Sequence, residues 1–308
     1  MLRVINRRAG MRTHELLKRP RRGCWIDLEA PTRAELESIA KLLEIAPEEL
    51  ASLLDEREPP KLEKSKQQVV VTVLVPYTKR KGMGISTLTI LIKDGYLITL
   101  HKRKLAPIDD FLEGRVKQFQ TDKRLRLLIQ LLARIVANFV THLKLVEKSM
   151  ERAEGELFTS MRPQSILDIW EVRRTIIQLN DAVMANDRVL TMILRGRGPR
   201  LYKEDRDVIG DLVLESRHLT RVLSLYTELL TNTMDAYVSL ISNNLNIVMK
   251  RLTSLAMIAA VPTILSSLYG MNVRLPFAEN PNAFSIILLL SVILSLLLLV
   301  IFKRLDWI

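Results

Sequence analysis

The chain has 308 residues, is 48% hydrophobic, and carries a formal net charge of +12 with a pI near 9.9. Its single cysteine, Cys24, cannot form an intramolecular disulfide, and its four histidines, His14, His101, His142 and His218, are scattered without metal-ligand spacing. With no nucleophile, general base or phosphate loop standing out either, an enzyme is not expected.

The N-terminal MLRVINRRAGMRTHELL is basic but has no apolar core, so no cleavable signal peptide is evident. Cys24 sits in the strand-like CWIDLE and reads as a buried small hydrophobe. Trp25 to Leu28, Val69 to Val75, Ser86 to Ile92 and Tyr96 to Leu100 are short and β-branched-rich, and Lys93-Asp94-Gly95 is a hairpin turn, so one sheet is expected. Pro31-Thr32 opens a helix over 33–43, and Pro47 opens another that ends near Asp55, before Pro59-Pro60. Residues 1–120 are thus expected to form an α/β domain, with the basic, Gly-rich Lys79 to Gly84 outside its core.

From Thr121 the pattern changes to long helices. Leu125, Leu128, Leu132, Ile135, Phe139, Leu143 and Val146 mark an amphipathic helix to about 157. After Arg162-Pro163 a second helix, over 164–194, passes Ile166, Trp170, Ile177 and Val183 and stops at the RGRGPR turn. These two should lie antiparallel within 121–201. The third begins near Tyr202 and meets no proline until Pro262. Taken to Met271 it has about 70 residues, roughly 105 Å at the α-helical rise.

Its end is hydrophobic enough for a bilayer. Leu252 to Met271 is uncharged over twenty residues, which span about 30 Å. Residues 202–251 are read as a stalk, 252–271 as a first membrane span, 272–283 as a loop, Phe284 to Phe302 as a second span, and 303–308 as a tail. Lys250-Arg251 and Lys303-Arg304 flank the spans, whereas the loop has only Arg274 and Glu279, so both termini are expected on the cytoplasmic side.

Two stripes run along the third helix. Leu219, Leu223, Tyr226, Leu230, Tyr237, Ile241, Leu245, Val248 and Leu252 suit packing against neighbours. A second face runs from Asp211 through Glu228, Asp235, Ser242, Asn246, Met249, Thr253, Ala256, Ala260 and Thr263 to Ser267. It is polar in the stalk and small within the span. Small residues alone would suit close helix packing, but the same phase carries Asn246, Ser242, Asp235 and Glu228, which pack poorly. Two membrane helices cannot enclose a water path. If this face lines one, several copies must surround an axis, with the almost wholly Ile, Leu, Val and Ser second span outside.

The helix closes on Tyr269-Gly270-Met271-Asn272, and here the chain resembles the CorA family of magnesium channels, which carry a Gly-Met-Asn at the outer end of the first of two C-terminal spans. Asn246 with Val248-Met249-Lys250 and Leu252-Thr253 resembles the family's inner pore mouth, Pro59-Pro60-Lys61-Leu62-Glu63 its Pro-Lys corner, and Asp306-Trp307-Ile308 its tail. The resemblance implies a cyclic homopentamer with a cytoplasmic funnel in the cell membrane, moving Mg2+ inward and closing when cytoplasmic Mg2+ is high. Tyr269, Gly270, Met271 and Asn272 would form the selectivity filter. Asn246, Met249, Leu252, Thr253, Ala256, Ala260 and Thr263 would line the pore, with Met249 and Leu252 as its hydrophobic constriction. Mg2+ is both cargo and expected regulator, and no organic cofactor and no nucleic acid are implied.

The chain departs from the family pattern in places. Asp211 falls at the position of a regulatory aspartate, but the acidic pair that faces it in relatives is Ala51 and Ser52 here, leaving Asp55 and Glu56 one turn away as substitutes. Ser267 replaces the usual glycine two residues before the tyrosine. Met271 favours the magnesium branch over relatives that move Co2+, Ni2+ or Zn2+. Pro262 frees a carbonyl one turn earlier and should bend the helix. The competing reading is a membrane-tethered scaffold binding anionic lipid or RNA through Arg3, Arg7, Arg8, Arg12, Lys18, Arg19, Arg21 and Arg22.

Overall fold

The computed structural model describes residues 1–308 apart from 9, 10, 12, 13, 81, 117, 161, 162, 274 and 277–279 and the side chains of 158–160 and 163. The expectations placed on Arg12, Arg162, Arg274 and Glu279 lie outside the described residues. The chain forms two compact units, Met1–Thr231 and Asn232–Ile308.

The first unit begins with β1 (Leu2–Asn6), β2 (Glu15–Leu16), β3 (Trp25–Glu29), α1 (Arg33–Leu43), α2 (Pro47–Ser52), β4 (Lys61–Lys64), β5 (Gln68–Thr78), β6 (Met83–Lys93), β7 (Tyr96–His101) and α3 (Ala106–Leu112). The long helices follow: α4 (Arg124–Ser160), α5 (Pro163–Leu194) and α6 (Lys203–Tyr269), which runs into the second unit ahead of α7 (Ala283–Arg304).

Among the described residues seven strands join one sheet in the order β2-β1-β3-β7-β6-β5-β4, and only β3 and β7 pair in parallel. The four expected strands are all present. β1, β2, β4 and α3 were not anticipated. The β6–β7 turn is the two-residue kind the sequence indicates, with φ of 47° at Asp94 and 91° at Gly95, the left-handed pair that matches strand twist. The expected loop at Lys79 to Gly84 is shorter than the sequence suggested: Met83 and Gly84 already pair in β6, Lys79 N donates to Gly82 O at 3.0 Å, and Lys81 lies outside the described residues. Thr32 opens α1 through a capping box: its hydroxyl accepts from Glu35 N, and Glu35 Oε2 accepts from Thr32 N at 2.8 Å.

Strand alternation divides the core. Cys24, Ile26, Leu28, Ile98 and Leu100 pack with Ile39, Leu43 and Leu50 of α1 and α2, so Cys24 is indeed a buried apolar residue. The other face carries Trp25, packed edge-on against Phe111 and Phe119 at 5.6 and 6.3 Å. β4 covers only Val69 to Thr72 of β5, and beyond it the Asn186 amide of α5 takes the place of a strand, accepting from Leu74 N at 2.8 Å and donating to Leu74 O at 2.7 Å. α6 rests on both long partners in this unit: Ser216 donates to Val183 O of α5, and the Tyr226 hydroxyl donates to Glu147 of α4 at 2.8 Å. Burial and that carboxylate push the Tyr226 phenol up to about 12.

α4, α6 and α7 are each long and apolar enough to cross a membrane, but burial separates them. The most apolar window of α4 is 44% buried within the chain, against 6% for α6 and for α7. α4 is therefore a core helix, and α6 and α7 present apolar surface that is left uncovered among the described residues.

Candidate functional site

In the second unit α6 and α7 meet along narrow stripes. Ser254, fully buried, and the half-buried Ile258, Val261, Leu265 and Tyr269 are the less exposed residues of α6; Ile287, Ser291, Leu294, Ser295, Leu298 and Phe302 are those of α7. Spacing of three and four places each set on one helix face. The expected pore residues follow a different phase. Asn246, Met249, Leu252, Ala256 and Thr263 are exposed and Thr253 and Ala260 half-buried. At 100° per residue their stripe is centred about 160° from the α7-facing stripe. The small and polar face of α6 is thus turned away from α7 and is not packed against another element among the described residues.

Pro262 does not interrupt α6. Its ring nitrogen cannot donate to Ile258 O, one turn back, and the Ser295 hydroxyl of α7 donates to that carbonyl instead, at 3.5 Å. The freed acceptor is satisfied across the helix pair, as a backbone group in hydrocarbon must be.

α6 ends at Tyr269, and Gly270 N still donates to Ser266 O at 2.9 Å. Gly270 does not have a left-handed φ; a Cβ there would stand 3.2 Å from Ser266 O, a tight contact that glycine avoids. The Tyr269 hydroxyl reaches past the turn to donate to Pro276 O at 3.2 Å. This contact closes a short loop around Gly270, Met271, Asn272 and Val273, on which Met271 and Asn272 are exposed.

The candidate regulatory carboxylates all lie in the first unit. Asp211 is exposed on α6. Asp55 Oδ1 accepts from Arg57 N at 3.0 Å, and Glu56 Oε1 accepts from Ser86 at 3.2 Å with Arg103 3.9 Å away. Among the described residues no three His, Cys, Asp or Glu side chains form a group that could hold a metal ion.

A charged cluster that the sequence reading did not single out lies inside the sheet. Asp27 is fully buried; its Oδ2 accepts from Arg3 at 2.6 and 2.9 Å, and its Oδ1 accepts from Thr99 at 2.6 Å and from His101 Nε2 at 3.0 Å. The other His101 nitrogen lies 2.6 Å from Arg103 O, so both ring nitrogens face acceptors, an arrangement that favours the doubly protonated ring. Burial opposes both charges. The hydrogen bond and charge of Asp27 outweigh it and raise the His101 pKa; His101 and Arg3 likewise hold Asp27 below the ordinary aspartate range. The signal was present in the sequence: a lone aspartate inside the apolar run WIDLE needs a cationic partner, and Arg3 lies directly opposite it in the β1–β3 register.

The family model described as CorA-like Mg2+ transporter protein matches residues 21–304. The cobalt/magnesium transport protein CorA of Methanocaldococcus jannaschii is 30% identical over 294 residues, spanning 92% of this chain and 91% of that protein. The cobalt/magnesium transport protein CorA of Thermotoga maritima is 21% identical over 290 residues, spanning 92% and 83%. The complete structure of the CorA magnesium transporter from Methanocaldococcus jannaschii aligns with a TM-score of 0.90 at 28% identity, covering 100% of this chain and 99% of that one.

Proposed function

The chain belongs to the CorA-like Mg2+ transporter family, and from that premise we propose that it is a channel for hydrated Mg2+, assembled as a homopentamer around the small and polar face of α6. The observation that carries this reading is the position of that face, opposite α7 and not packed against another element among the described residues. Copies arranged about an axis give it water on one side and leave the uniformly apolar α7 toward lipid.

Mg2+ holds its six waters tightly, so a filter can select it through those waters with neutral oxygens. The exposed Asn272, on the loop that Tyr269 closes, supplies a ring of amide oxygens, one from each copy. No carboxylate lies in either span, which argues against selection by an acidic ring. Entry needs no nucleotide: an inside-negative potential supplies about 4.6 kcal/mol per divalent ion for each 100 mV. Met249 and Leu252 form the hydrophobic constriction, and both termini lie in the cytoplasm. Co2+ and Ni2+ share the octahedral hydrated form and are the alternative cargo.

In this reading cytoplasmic Mg2+ regulates by binding between Asp211 of one copy and Asp55 and Glu56 of the next. The scaffold reading loses two of its eight cations: Arg3 is committed to Asp27 and Glu29, and Arg7 is nine-tenths buried. Metal uptake into proteoliposomes tests the proposal. Asn272→Ala should reduce Mg2+ influx to a small fraction of wild type, and undiminished influx would sink this reading of the filter.

A further inference from the structure

A cavity of about 260 Å3 lies where the β5–β6 hairpin meets α4 and α5. Met83, Leu145, Val146 and Val172 give it apolar walls, and the polar groups that the two helices add are His142, Ser149, Glu171 and Thr175. No Lys or Arg lines it among the described residues.

His142 marks the cavity as more than a packing gap. The residue is 6% exposed, and its Nδ1 lies 2.9 Å from Asn138 O, one turn back. A carbonyl only accepts, so this contact favours the tautomer with its hydrogen on Nδ1 and leaves Nε2 as an acceptor. Nε2 is buried and has no hydrogen-bond partner among the described residues. Asn138 fixes this turn of α4 against the sheet, its amide donating to Pro76 O of β5 at 2.7 Å. An acceptor held out of water in this way costs free energy that a hydrogen-bond donor offsets.

The neighbouring polar groups are acceptors as well. Ser149 Oγ donates to Leu145 O and Thr175 Oγ1 to Glu171 O, each at 2.9 Å, so both hydroxyl hydrogens are committed and only oxygen lone pairs remain. Glu171 is exposed at the rim and its carboxylate makes no salt bridge among the described residues. Glu171 and Thr175 are four residues apart and His142 and Ser149 seven, so each pair shares one face of its helix.

We propose that this cavity binds a soluble primary alkylammonium ion, its NH3+ group held among Glu171, Thr175 and His142 and its methylenes lying along the apolar walls. An ammonium group has three donors and no acceptor, which matches a lining of acceptors. The volume suits a short chain, being below the roughly 300–1,000 Å3 of sites for drug-sized ligands. With a net charge of +12 the chain as a whole repels cations, so binding has to come from these local groups. The site lies wholly within the first unit, apart from the residues proposed to line the ion path, and does not depend on that reading.

The test uses the full chain in detergent with EDTA present and NaCl matching ionic strength. n-Butylammonium should bind by calorimetry and raise the melting temperature, and 1-butanol, of similar size without the charge, should bind at least about tenfold more weakly. Glu171→Gln keeps the shape of the rim and removes its charge, so affinity should fall at least about tenfold, as expected for the loss of a hydrogen bond to a charged group. Being exposed, Glu171 can be changed without disturbing the core, and this variant decides the matter whatever a change at His142 does to folding. Glu151→Gln, at an exposed carboxylate of α4 outside the cavity, should leave affinity unchanged. His142→Leu should melt no lower than wild type without ligand, because it removes an unpartnered buried nitrogen, while its butylammonium shift shrinks. A merely structural histidine would give the reverse, a lower melt with the shift retained. Wild-type affinity in Glu171→Gln, or butylammonium acting no more strongly than NaCl or 1-butanol, overturns the proposal. Stabilisation through His142 by Co2+ without EDTA, with none by butylammonium, overturns it too, in favour of a metal ion.

Discussion

At the scale of single residues, the Asp27–His101 pair sets a pH window for the first unit. The folded pKa of His101 is raised above its reference of 6.5, so its stabilisation is complete below that value and is lost as pH rises through the folded pKa. Asp27 has the opposite sign: depressed from 3.8, it stabilises above that value and loses its contribution as pH falls through its folded pKa. Facing the pair are Arg3 on β1 and Glu29 on β3, and both favour the charged imidazole, Arg3 by anchoring Asp27 and Glu29 by its own charge. Thermal melts should therefore show stability falling as pH rises through the folded pKa of His101, above 6.5, and His101→Gln should flatten that limb. Asp27→Ala, which leaves Arg3 and His101 buried without a counter-charge, should cost about 3–5 kcal/mol. A melting curve in His101→Gln with the same fall as wild type would remove His101 as its source.

Among the elements, the pairing of α6 with α7 rests on a hydrogen bond that proline makes necessary. Ser295→Ala leaves Ile258 O without a donor and should cost about 0.6–1.7 kcal/mol, the measured range for interhelical hydrogen bonds in membranes. In a Pro262→Ala background the backbone N–H returns to Ile258 O, and Ser295→Ala should then cost almost nothing. Equal costs in both backgrounds, measured by denaturation in detergent, would disprove the link. This contact was only half legible. The sequence gives Pro262 and hence a freed carbonyl, and from it a bend was expected; the donor lies 37 residues away on a helix whose serines read only as small residues. Strands show the same limit. β3, β5, β6 and β7 announce themselves as apolar runs, whereas β1 is disguised by Arg3 and β4 by the charges of Lys61, Glu63 and Lys64, whose strand character comes from partners distant in sequence. The two stripes of α6 were legible by periodicity alone, yet the packing stripe divides: Leu219, Leu223 and Leu230 are buried, while Ile241, Leu245, Val248 and Leu252 are exposed.

At the scale of the whole molecule, those exposed residues and the polar face pose one problem, which the proposed assembly would solve. A single chain in a bilayer would leave Asn246 and Thr253 against hydrocarbon, where polar side chains are costly, whereas the Thr263 hydroxyl is satisfied by Ala259 O at 3.1 Å. Copies around an axis remove that cost by giving the face water, and the composition of α7 suits the lipid side of the same arrangement. Cysteine chemistry separates the two faces. Cys24, the only native thiol, is 1% exposed and its pKa is raised by burial, so the background is unreactive. Thr263→Cys lies on the polar stripe and Val292→Cys on the exposed side of α7. A water-soluble cationic thiol reagent applied to the assembled protein should label Cys at 263 and block Mg2+ uptake, because thiolate forms only where water reaches. It should leave the variant at 292 unlabelled and fully active, since lipid excludes both reagent and thiolate. Labelling at 292 with none at 263 would reverse the two faces, and the axis would then have to run along α7.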